Sequence, residues 1–167
     1  MDATESRPAL DARGFWGLIG QRATAVTVVT AQGPSGPAGF LALSSTHLTA
    51  SPPSMMVSID EKTSAIEAIR AGKHFAINIL TDGDRELADM FGGRGSLKGA
   101  DRFGTTTWST LATGAPVLDR ALAAIDCELD ELIPRHGTLI AIGRIAAWRT
   151  DGAAKPLVFF AGGYRSL

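Results

Sequence analysis

The side chains that carry most enzyme chemistry are scarce in this chain. It holds one cysteine, Cys127, three histidines, His47, His74 and His136, and one tyrosine, Tyr164. A single cysteine excludes an intramolecular disulfide and a Cys-rich zinc site. The histidines and Cys127 share no metal-ligand spacing, so no metal is expected. No GxSxG elbow presents a nucleophilic serine. Cys127 lies in an apolar-leaning run, where a lone cysteine reads as inert packing. Asp126-Cys127-Glu128-Leu129-Asp130-Glu131 alternates acidic with apolar residues, the pattern of a solvated strand face rather than of a catalytic carboxylate pair. No side chain is therefore assigned a catalytic role of its own.

Three segments can bind rather than react. Gly92-Gly93-Arg94-Gly95-Ser96-Leu97-Lys98-Gly99 is glycine-rich and basic. It has neither a Gly-Lys-Ser/Thr triplet nor GxGxxG spacing, so it reads as a surface loop that can fold over a ligand, not as a phosphate loop. Asp60-Glu61-Lys62-Thr63-Ser64 leads from an apolar strand into a helix start. Unpaired N–H groups and the positive dipole end gather there, and the hydroxyls can serve a phosphate. Ser64 equally suits a plain helix cap, with Glu67 at capping-box spacing. Ser44, Ser45 and Thr46 place three hydroxyls in a row after a strand. They can bond their own backbone, or line a flat polar ligand whose edge neighbouring backbone groups read.

The elements that must position these groups are mostly strands. The 167 residues are 45 % hydrophobic and 20 % charged with net charge −1, the composition of one globular domain. The near-neutral balance argues against nucleic-acid and anionic-membrane partners, and the single cysteine suits a reducing cytoplasm. Met1–Pro8 is polar with both charge signs and carries no secretory signal. No apolar run approaches the roughly 18 residues of a membrane helix. A helix with Phe15, Leu18 and Ile19 on one face precedes the strand Ala25–Thr30. The turn Gln32–Pro37 leads into the strand Ala38–Ser44, and Thr49–Ser54 breaks the chain before the strand Met55–Ile59. A helix over 64–71, a strand over His74–Leu80 and a short helix over Asp84–Phe91 follow, and Gly92–Gly104 is irregular. Two long strands, Leu122–Ile133 and Thr138–Arg149, flank a turn at Pro134–Gly137, and Pro156–Phe160 is a last strand. This succession predicts a closed antiparallel barrel with flanking helices, not a Rossmann sheet.

In order along the chain, AVTVVT, a Gly/Pro turn, GFLALSSTHLTASPP, MMVSID and a Ser-led helix are followed by HFAINIL, by DRF with a nearby Trp, and by GAPVLDRALAAIDCEL. TLIAIGRI and PLVFFAGGYRSL complete the series. This order resembles the flavin reductase family, whose fold is a mainly β, antiparallel Greek-key split barrel of the FMN-binding type with flanking helices. The resemblance spans roughly residues 14–167 and leaves 1–13 as a flexible N-terminal segment. It implies a homodimer that binds FMN or FAD, takes hydride from NADH or NADPH, and supplies reduced flavin to a partner monooxygenase. The alternative it leaves is an FMN-binding electron carrier or flavin store.

The resemblance also assigns residues. Leu41, Ala42, Leu43, Ser44 and Ser45 lie along the flavin ring and ribityl chain. Leu41 and Leu43 each stand where the family carries a hydroxyl, which makes the ring site more apolar and leaves backbone contacts intact. Ser58, Ile59 and Asp60 run past the ring, and Thr63 and Ser64 end at the phosphate. Arg102 and Phe103 match a basic–aromatic pair near the phosphate end. Many relatives place a histidine against the nicotinamide five residues before the glycine that matches Gly143. Here Thr138 holds that place, and His136 lies two residues earlier, on the same face if the strand is regular.

Overall fold

The computed structural model describes residues 9–167, so most of the expected segment 1–13 lies outside the described residues. Helix α1 (Ala12–Ile19) opens the described chain, with the Asp11 carboxylate accepting the Gly14 N–H at 2.7 Å as its N-cap. Strands β1 (Thr24–Ala25), β2 (Thr27–Gly33), β3 (Gly36–Ala42), β4 (Thr46–Ala50) and β5 (Pro53–Asp60) follow. Next come α2 (Ala65–Gly72), β6 (His74–Ile79), α3 (Arg85–Phe91) and a 3₁₀ turn over Gly99–Thr105. Strands β7 (Trp108–Ser109), β8 (Val117–Leu118), β9 (Ala123–Arg135), β10 (Thr138–Thr150), β11 (Leu157–Phe160) and β12 (Gly163–Ser166) complete the chain.

Seven strands form one antiparallel sheet in the order β3-β2-β6-β9-β10-β5-β4. Strand twist and two bulges in the β9–β10 ladder, at Ile142/Gly143 and Ile145/Ala147, curl it around a core. Val29, Val57, Ile59, Phe75, Ile77 and Leu139 fill that core. Alternation sends the neighbouring residues Val28 and Ala76 to a second core on the other face. There they meet Leu87 and Phe91 of α3, Phe103, and Leu157 of the small sheet β1-β11-β12. Asn78, fully buried, ties this second core together: its amide donates to the Val28 carbonyl at 3.1 Å and its carbonyl accepts the Leu118 N–H at 2.8 Å.

Several local expectations are corrected. The barrel does not close: among the described residues no ladder joins β3 to the opposite edge, and the sheet stays split there. The run Ala25–Thr30 changes sheets at Val26, whose N–H bonds Leu157 and whose carbonyl bonds Leu80. Within the Thr49–Ser54 break, Thr49 and Ala50 end an edge strand, and only Ser51 and Pro52 turn. Prolines at the turn spare the ladder, and Thr46 and Thr49 suit a strand. Pro134 is also inside a strand, opposite Leu139, so the β9–β10 turn is only His136–Gly137. Asp126 is not on a solvated face. It is fully buried and accepts bonds from the Ala112 and Thr113 N–H groups, each at 2.8 Å, and from the Thr113 hydroxyl.

Gly143 shows how tightly the sheet curls. A Cβ there would stand 2.7 Å from Phe75 Cε1 and 2.9 Å from Cys127 Cβ. Overpacking of this kind costs about 1–3 kcal/mol. Gly143→Ala is expected to lower the urea unfolding free energy by that amount, and Phe75→Leu in the same chain to recover part of it.

Candidate functional site

The split positions the site. Strand β3 pairs only with β2, and the chain leaves it at Leu43 and crosses directly to β4. Strand β4 covers β5 from Pro53 to Met56. Beyond Met56, residues 57–60 pair with β10 alone. The outer edge at Ser58 and Asp60 therefore has no strand beside it, and Ile59 between them turns its backbone groups to β10. The crossing segment lies against that edge, and the Ser44 hydroxyl donates to the Ser58 carbonyl at 2.9 Å. Thr27 holds the same segment from below. Its hydroxyl donates to the Ala42 carbonyl at 2.7 Å and lies 3.0 Å from the Ser45 hydroxyl.

Other expected residues converge on this seam. Thr138 pairs with Asp60, and the Glu61 N–H donates to the Gly137 carbonyl at 3.1 Å, so the β9–β10 turn is tied to the end of β5. The Asp60 carboxylate accepts the Lys62 N–H and the Asp60 carbonyl accepts the Thr63 N–H, each at 2.9 Å, which shapes the turn into α2. Ser64 is helical itself and makes no side-chain cap bond, so the capping-box expectation fails and its exposed hydroxyl is left for another partner. Residues 41–45, 58–64 and 138 thus share one end of the sheet.

Two expected residues turn their side chains away from the seam. Ala42 and Ile59 are buried, at 4 % and 1 % exposure, with side chains in the core. Leu41 and Leu43 are half-buried against the α3 core, and a Cβ on Gly92 would lie 3.2 Å from Leu41 Cδ2. His136 departs further from expectation. Its φ is +48° and that of Gly137 is +76°, so it occupies the exposed two-residue turn, and the regular strand needed to carry its face onward ends at Thr138.

Arg102 and Phe103 reach β3 at Gly39. A Cβ on Gly39 would lie 3.0 Å from Phe91 Cε1 and 3.3 Å from Phe103 Cζ, so a glycine is what lets both rings approach the strand. The Arg102 guanidinium lies 5.4 Å from the Phe91 ring centre, and its Nε–H is buried without a partner. Burial lowers its pKa from the ordinary guanidinium range. The guanidinium reaches the Gly39 carbonyl through Nη1 at 3.5 Å, and a partly desolvated cation at this place on β3 suits an anionic group. The glycine-rich stretch is anchored above α3: Arg94 bonds the Tyr164 hydroxyl at 2.8 Å and Asp89 at 2.7 Å.

A separate concavity of about 400 Å³ lies at the far end of α2, lined by Lys73, His74, Thr113, Glu128 and Arg144. None of the expected site residues lines it. Cys127, in the adjoining strand, has its thiol pushed up to about 12 by burial, which leaves it unreactive.

The fold is thus an antiparallel split barrel with hydroxyl-bearing segments at its open seam. The chain belongs to the family described as the flavin reductase like domain, which matches residues 19–167. It is 35 % identical over 143 residues to an FMN reductase (NADH), RutF 2, of Rhizobium rhizogenes, covering 86 % of this chain and 82 % of that one. It superimposes on the flavin reductase PheA2 with TM-score 0.85 and 29 % identity, over 94 % of this chain and 98 % of that one. BorF, the flavin reductase component of a bacterial two-component tryptophan halogenase, gives TM-score 0.86 at 27 % identity, over 94 % and 98 % of the two chains.

His74 supplies a pH test of the adjoining structure. It is 8 % exposed and its Nδ1 has no partner. Burial lowers its pKa, and the charge of Asp126 opposes that shift. The folded state therefore prefers neutral imidazole more than the unfolded chain does. Its contribution is fully present above the unfolded pKa of about 6.5 and is lost as pH falls through the lower folded value. The urea midpoint of the wild-type protein is expected to fall across that window, and the His74→Asn midpoint to lack that component.

Proposed function

We propose that this chain is an NADH-dependent flavin reductase that holds FMN or FAD at the split between β3 and β5. The observation that carries the placement is the Ser44–Ser58 bond, which sets residues 41–45 beside the open edge of 58–60. The residues fit the group. The Ser44–Ser45 segment and the outward N–H groups of Ser58 and Asp60 suit the ring and ribityl chain. Thr63, Ser64 and Arg102 suit the phosphate, with one hydroxyl left uncapped and one guanidinium N–H unpaired. NADPH remains an alternative donor, and the family relationship supports a monooxygenase as recipient of the reduced flavin, a homodimeric state and a cytoplasmic location.

Bound flavin supplies the redox chemistry by accepting hydride from the nicotinamide. The chain's part is to bind and orient. Backbone N–H groups of Ser58 and Asp60 hold the ring edge, and Leu41 and Leu43 keep its surroundings apolar. The Ser44 hydroxyl is engaged with Ser58, so it fixes the groove's width. Thr138, beside Asp60, borders the place for the nicotinamide, and His136 stands at its rim. No general base or nucleophile is required, which suits a groove lined by hydroxyls and backbone.

Exposed apolar side chains support a second copy of the chain. Trp16 and Leu18 of α1, Leu48 of β4 and Trp148 of β10 are 68, 61, 46 and 68 % exposed.

The test is NADH oxidation, followed at the nicotinamide absorbance band, with FMN or FAD added. Turnover is expected with at least one flavin, and none with either flavin and either nicotinamide overturns the reading. Ser64→Ala is expected to weaken FMN by about 1.5–3 kcal/mol, the worth of a hydrogen bond to a charged group, and riboflavin far less. Equal losses for both ligands contradict the phosphate placement.

A further inference from the structure

A hydroxyl has a single proton to give, and a carbonyl oxygen can only accept. These two facts fix the direction of the hydrogen bonds at the seam. Thr27 is 4 % exposed and lies 2.7 Å from the Ala42 carbonyl, so its proton goes there. The Ser45 hydroxyl lies 3.0 Å from the same Thr27 oxygen. With the Thr27 proton spent, Ser45 is the donor in that pair. Ser44 gives its own proton to the Ser58 carbonyl at 2.9 Å. Both serine oxygens therefore keep only lone pairs for a ligand, and the half-buried crossing segment accepts without donating.

The facing edge has the opposite polarity. Ser58 and Asp60 turn their backbone groups outward. Both of their carbonyls are taken, by the Ser44 hydroxyl and by the Thr63 N–H at 2.9 Å. What the edge still offers is N–H donors. A ligand that suits both sides carries alcohol hydroxyls on one part and carbonyl or ring acceptors on another. The ribityl chain of a flavin has the first, and its ring has the second.

We propose that Thr27 is a positioning residue that holds Ser45 as a hydrogen-bond acceptor for the ribityl hydroxyls. The proposal rests on the flavin reductase reading, which supplies a ligand with a sugar-alcohol chain. Thr27 is buried beneath the crossing segment and acts through Ser45 and Ala42. Valine in its place would keep the shape and remove the oxygen. The Ala42 carbonyl would then lose its donor, and the Ser45 proton would be free to turn into the groove.

The test titrates the full chain with riboflavin and with lumiflavin, the same ring without the ribityl chain, and follows flavin fluorescence. The wild-type protein is expected to bind riboflavin more tightly than lumiflavin. Thr27→Val is expected to weaken riboflavin by about threefold to tenfold, the worth of a neutral hydrogen bond, and lumiflavin by less than about twofold. FMN weakens along with riboflavin, the reverse of the pattern expected for Ser64→Ala. Thr27→Ser keeps the hydroxyl and is expected to restore the preference for riboflavin. Ser45→Ala removes the acceptor without touching the buried threonine, so the same loss is measurable even if Thr27→Val fails to fold. A merely structural role for Thr27 would weaken both ligands alike. That result, or a riboflavin-to-lumiflavin ratio unchanged in both Thr27→Val and Ser45→Ala, overturns the proposal. If the wild-type protein binds riboflavin and the ratio does not move, only the role of Thr27 is lost. If it binds no flavin, the flavin reductase reading falls with it.

Discussion

A curled sheet that stops short of closing leaves two strand edges with unpaired N–H and C=O groups. Here the constraint is met in an economical way. The chain crosses the gap itself between Ala42 and Thr46, and one side-chain bond, from the Ser44 hydroxyl to the Ser58 carbonyl, holds the crossing to the open edge. Everything expected of the site depends on that gap. If β4 extended four residues further along β5, the backbone groups of Ser58 and Asp60 would be spent on a ladder. If β3 paired with β5, the groove would be gone.

The rest of the structure keeps this edge in place. Phe75, Val57 and Ile59 fill the concave side, and Gly143 lets β10 press against Phe75. On the other face, Phe91 and Phe103 close on Gly39 and bring Arg102 to β3. The loops that frame this second core are pinned by buried carboxylates. Asp84 accepts the Arg120 guanidinium at 2.6 Å and the Thr81 hydroxyl at 2.7 Å, and Asp126 gathers the 112–113 turn. Asp84, Arg120 and Asp126 thus hold loops rather than line the site.

Much of this was legible in the sequence. Beta-branched runs gave the central strands, and the hydroxyl cluster at 44–46 and the helix start at 60–64 were singled out from residue types alone. Their union was not legible, because contact between Ser44 and Ser58 is a matter of register across a split that no local pattern records. Asp126 was misread because alternation marks a solvated face only when the outer side is uncovered, and here the 110–116 segment covers it. His136 was misplaced because His-Gly gives no strong warning of a two-residue turn with both φ values positive, unlike Asn-Gly. The small strands β7 and β8 were below any periodic signal. The scarcity of cysteine, histidine and tyrosine was informative throughout. It suits a family whose flavin, not a side chain, carries the redox chemistry.

The central claim is that flavin binds along the open edge between β3 and β5. Amide hydrogen exchange with and without FMN tests it most directly. The account predicts slowed exchange in peptides covering 41–46, 58–66 and 101–103, with the far concavity at 72–74 and 128–129 unchanged. Protection confined to that concavity, or flavin binding that leaves 41–46 and 58–66 exchanging at their free rates, would contradict it.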